Sequence, residues 1–127
     1  MLHVSGAISR PAVVKRVLER WLTIQAHRHL VPWLHRTAAE LGFALKGVSV
    51  RTQRTLWGSC SRRSTISLNA RLLLIPPDMV HYVFVHELVH IRHMNHSREF
   101  WQAVAVHVPD HRDRVRELRR LWGTLVI

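Results

Sequence analysis

His86, Glu87 and His90 stand in the order His-Glu-x-x-His inside an apolar run, and that spacing suits one chemistry in particular. On a helix, residues four apart differ by about 40° and lie one turn above each other, so both imidazoles aim at one point, as two ligands of a zinc ion must. Glu87 projects beside them, where a carboxylate can take a proton from a zinc-activated water and so begin hydrolysis of a peptide bond. With 11 histidines among 127 residues, chance alone would produce the pattern about 0.04 times. Val85, Leu88, Val89 and Ile91 make the surroundings apolar, and polar groups buried there require partners. The plainer alternative is a set of ordinary core or surface residues satisfied by their neighbours.

A catalytic zinc usually keeps three protein ligands and one open position. His93 would lie about 10 Å along the helix axis from His86, too far to share one ion on a straight helix. Asn95 is a residue type that ends helices, so the chain can turn back there and present His96 from another direction. His96 is therefore the expected third ligand. Glu99 is the competitor, although an acid in the first turn of a helix is also favoured simply by the helix dipole.

Elements must hold these groups in place. Ser9 and Pro11 open a helix in which Val13, Val17, Trp21 and Ile24 recur at helical spacing. Pro32 should kink or break it, giving a helical hairpin or one bent helix that stops at Gly42. Val48–Arg51 and Thr65–Asn69 read as two short strands, with Trp57–Ser64 a turn or loop between them. Pro77 and Asp78 open the motif helix, Ser97 caps the next one, and Asp110 to about Trp122 forms the last, burying Val115, Leu118 and Leu121. These elements make an α+β arrangement, helices on a small sheet.

The length fits a single domain, residues 1–127, and 47% hydrophobic residues with five tryptophans supply a core. Cys60 is the only cysteine, which excludes an internal disulfide and suits a reducing compartment, here taken as the cytoplasm. A net charge of +11, almost all of it arginine, favours acidic or phosphate-bearing partners without specifying a fold. The start of the chain has no export signal, and no apolar run is long enough to span a membrane.

Taken together, Trp57-Gly58-Ser59-Cys60-Ser61, Ser67-Leu68-Asn69, His86-Glu87-Leu88-Val89-His90 and Asn95-His96-Ser97 with Phe100-Trp101 resemble the YgjP-like metallopeptidase family in order and spacing, over roughly residues 10–122. That family is similar to the SprT-like zincins. The resemblance implies a zincin-like domain with a small sheet beside the motif helix, Zn2+ on His86, His90 and His96, and catalysis by Glu87. Members usually carry a further N-terminal β-rich region, whereas this sequence begins almost directly at its first helix.

The expected activity is thus zinc-dependent hydrolysis of polypeptides, with Glu87 as general base. One alternative is a nucleic-acid-binding module with a structural zinc, whose Arg51, Arg54, Arg62, Arg63 and Arg71 contact phosphates. Another is a partner-binding domain that keeps the motif without turnover. Three subsidiary expectations concern the cleft: the Ser67–Asn69 strand offers an edge to an extended substrate, Tyr82 donates to the tetrahedral intermediate, and Cys60 packs as a small apolar group. Oligomeric state is not legible in the sequence.

Overall fold

Pro11, its φ fixed for a first helical turn, opens α1 (Pro11–Leu41), and Gly42 closes it with the left-handed φ of 80° that glycine adopts freely. The structure, a computed structural model, describes residues 10–52 and 56–124, so Ser9 and Arg54 lie outside the described residues. Pro32 sits inside α1, and 31 residues run as one helix, which excludes the hairpin. An interior proline costs about 3 kcal/mol, but Leu22, Ala26, Leu30, Leu34 and Ala38 form one buried row on both sides of it, and burial of that row outweighs the lost bond. This row also corrects the expected stripe, because Val17, Trp21 and Ile24 face outward.

Three strands follow: β1 (Gly47–Arg51), β2 (Gly58–Cys60) and β3 (Thr65–Asn69). The sheet order is β1-β3-β2, with β1 parallel and β2 antiparallel to β3. Part of the expected Trp57–Ser64 loop is therefore a strand, joined to β3 by a turn in which Ser64 takes a φ of 63°. The Ser61 hydroxyl holds this turn by accepting from the backbone N–H groups of Arg63 and Thr65. β3 lies in the middle, so the expectation that Ser67–Asn69 offers an edge does not hold; the edge strand on that side is β2.

Asn69 ends β3 and its side chain accepts from the Arg71 N–H, starting a short 3-10 helix, Ala70–Leu74. Arg71 is buried, and its guanidinium reaches the Glu19 carboxylate of α1 at 3.0 Å and the Thr52 carbonyl after β1. That pairing fastens α1 to the sheet and removes Arg71 from the cations expected to meet phosphates.

α2 (Pro77–Val89) carries the motif and is the most buried helix, as its apolar sequence demands. It ends at His90, earlier than the stop expected at Asn95, because the Ile91, Arg92 and His93 N–H groups turn back to Leu88 and Val89 carbonyls. Among the described residues Ser64 is the only non-glycine at positive φ, so Asn95 does not make a left-handed cap. α3 (Arg98–His107) starts where the Ser97 hydroxyl accepts from the Phe100 N–H at 3.3 Å. α4 (His111–Thr124) follows Pro109 and places Leu118 in the core. No helix among the described residues is long and apolar enough to cross a membrane.

Candidate active site

α2 delivers His86 and Glu87 in its last turn, His90 caps its end, and the reversal over residues 90–97 swings His96 back over them. The ligand-type nitrogens of His86, His90 and His96 lie within 4.8 Å of one another. His90 Nε2 and His96 Nε2 are 3.1 Å apart. His90 Nδ1 lies 3.0 Å from the His93 carbonyl; a carbonyl only accepts, so Nδ1 carries the proton and Nε2 is left with its lone pair. His86 has the same arrangement, its Nδ1 donating to Glu87 Oε2 at 3.0 Å.

These donors fit a metal. Tetrahedral zinc with Zn–N bonds of about 2.05 Å sets its nitrogens roughly 3.3 Å apart, close to the His90–His96 spacing. Partial burial, then the neighbouring His86 and His90, holds the His96 pKa below the usual imidazole range, which favours the neutral form that a metal binds.

Aromatic rings fix the cluster from behind. Phe100 is fully buried, and its centroid lies 4.5 Å from His90, 4.8 Å from His96 and 5.1 Å from His86. Trp101 stacks on both His96 and His111. Tyr82 lies beside His86, and burial, then the charge of Glu87, raises its hydroxyl pKa, so it remains a donor. The same two causes push the Cys60 thiol up to about 11, which keeps it protonated and unsuited to act as a nucleophile or ligand.

The four expected site residues thus come together, and the two competitors do not. His93 contributes its backbone carbonyl while its ring lines a separate hollow with Phe43 and His107. Glu99 is exposed and is held below the usual carboxylate range by hydrogen bonds from its own backbone N–H and from Ser97. The cleft beside the cluster has a volume of about 570 Å³ and includes Trp57, Gly58, Trp101, Arg119 and Trp122. None of these was singled out as a site residue from sequence. Arg119 comes from α4, and only the tertiary fold brings it there.

A His-Glu-x-x-His helix, a returning third histidine and a small sheet with an edge strand beside the motif define a zincin-like metallopeptidase. Comparison with known proteins agrees. A model of the YgjP-like metallopeptidase domain matches residues 2–121, and the chain belongs to that family. Among solved structures it is similar to the metallopeptidase zymogen abylysin of Pyrococcus abyssi, with a TM-score of 0.59 and 26% identity over 72% of this chain and 90% of that one. It also shares its fold with the zymogen jannalysin of Methanocaldococcus jannaschii, at a TM-score of 0.58 and 19% identity over 72% and 93% of the two chains. No curated protein sequence matches it.

Gly58 explains how β2 approaches the motif. A Cβ there would lie 3.2 Å from Glu87 Cγ, 3.2 Å from the Ser67 carbonyl oxygen and 3.4 Å from Val83 Cγ1. Gly58→Ala therefore displaces Glu87 or the strand, and the expected result is a destabilisation of about 1–3 kcal/mol together with slower hydrolysis. An unchanged urea midpoint would show that the strand and helix have more room than these distances allow.

Proposed function

We propose that the protein is a zinc-dependent peptidase in which His86, His90 and His96 hold the metal and Glu87 is the general base. The observation that carries this reading is the 3.1 Å approach of His96 Nε2 to His90 Nε2, with His90 Nδ1 engaged by the His93 carbonyl. Zinc, when bound, would acidify water and polarise the substrate carbonyl. The chain supplies the rest. Glu87, almost fully buried, accepts the proton of the attacking water and can return it to the departing amine. The Tyr82 hydroxyl donates towards the developing oxyanion. Among the described residues β2 pairs with β3 on one side only, and its other edge can hydrogen-bond to an extended substrate backbone. Residues 1–127 act as one catalytic domain, and the single thiol suits the cytoplasm.

The test is metal content by plasma mass spectrometry on untagged parent and His96→Ala protein. The expected result is close to one zinc per parent chain and a sharp loss in the variant. Folded parent protein that takes up no metal when zinc is supplied overturns the reading.

A further inference from the structure

α4 forms one wall of the cleft, and its arginines divide into two sets. Arg114 pairs with Asp78 and Asp110, Arg116 with Asp113 and Arg120 with Glu117. Arg112 and Arg119 have no ion pair among the described residues. Both line a second hollow of about 410 Å³, together with Arg116, His111, Trp101 and Val115 and with no acidic residue. Arg119, Trp101 and Val115 also line the main cleft, so the two hollows are adjacent.

We propose that this arginine-lined recess is a substrate subsite that takes a carboxylate of the peptide, with Arg119 and Arg112 determining specificity. The inference rests on the peptidase reading. Trp101 sets the distance. His96 and His111 each stack on its indole, at centroid separations of 5.7 Å and 5.4 Å. An extended peptide advances roughly 3.3–3.6 Å per residue, so the recess receives a group within about three positions of the bond held at the histidines. The carboxylate can belong to an acidic side chain within the peptide or to its free C-terminus. Both present the planar two-oxygen group that a guanidinium grips in bidentate fashion. The main cleft beside it is walled by Trp57, Val83, Leu118 and Trp122, which suits an apolar neighbouring residue. A nucleic acid would instead require a track of unpaired cations along the surface, and the α4 arginines that have acidic partners do not extend one.

The test uses full-length zinc-loaded Glu87→Gln protein, so that peptides bind without being consumed. Calorimetry compares acetylated, amidated alanine-rich peptides with a central leucine, in which one glutamate or one glutamine is moved through the positions on either side. A glutamate-free peptide with an unblocked C-terminus is the second arm. The expected result is about fivefold to tenfold tighter binding of glutamate over glutamine at one or two adjacent positions. The preference should vanish in Arg112→Gln/Arg119→Gln protein and persist in Arg120→Gln protein. Tighter binding of the unblocked peptide alone also supports the subsite and assigns the carboxylate to the chain terminus. Equal affinities throughout overturn the subsite, and cleavage of the same peptides by the parent would then leave the peptidase reading standing. A preference in binding with no cleavage by zinc-loaded parent removes the peptidase reading and, with it, the recess's role as a substrate subsite. Steeply salt-dependent binding of a single-stranded oligonucleotide, with no preference among peptides, overturns the subsite in favour of phosphate.

Discussion

Glu87→Gln protein is expected to hydrolyse peptides roughly 10²–10⁴-fold more slowly than the parent, the usual contribution of a positioned general base, while keeping its zinc. The substitution is nearly isosteric, and glutamine can still accept the His86 Nδ1 hydrogen bond that Glu87 Oε2 accepts. The imidazoles should therefore remain aligned. What disappears is a group able to take up a proton. The loss should fall on kcat, because Glu87 is assigned to the moving proton and not to the grip on the substrate. Metal content and kcat are measured on the same preparation. Unchanged turnover with full zinc would remove Glu87 from the chemistry, whereas lost zinc would make it a support of the site.

The second large effect concerns stability. Glu19→Ala should destabilise the fold by about 3–5 kcal/mol, because it removes the carboxylate that the buried Arg71 guanidinium meets at 3.0 Å. For a chain of this size that lowers Tm by roughly 10–20 °C. Arg71→Met should cost less, since it removes the buried charge while largely filling its space, and Glu19, about a quarter exposed, can return to water. Calorimetric melting of both variants decides the matter. If Arg71→Met were the more damaging, the value of the pair would lie in the other bonds Arg71 makes and not in its charge.

What could be read from sequence follows the reach of each signal. The motif helix was legible because His86, Glu87 and His90 are local and their spacing is helical. His96 was reachable because the chain reverses before Ser97, although the reversal is made by tightened turns after Val89 and not by Asn95. β2 was missed because Gly58, Ser59 and Cys60 are a short run without β-branched residues. The inner face of α1 was misjudged because the helix has apolar residues on more than one side, so two stripes fit the same period and only packing against the sheet selects Leu22, Ala26, Leu30 and Leu34. Gly58 beside Glu87 and Arg119 at the cleft depend on contacts between distant segments, about which local spacing says nothing.

The three imidazoles, the Ser97 cap and the Phe100 and Trp101 rings all fall between residues 86 and 101. In kinetic terms that makes the histidine cluster a local structure. Bringing His86 to His96 closes a loop of ten residues, whereas the Glu19–Arg71 tie spans 52, and loop-closure entropy favours the shorter one by about 1.5 kcal/mol. The three histidines can therefore meet before α1 docks on the sheet, and zinc held by them as proposed would, if present during folding, act as an early nucleus, speeding refolding as well as stabilising the final state.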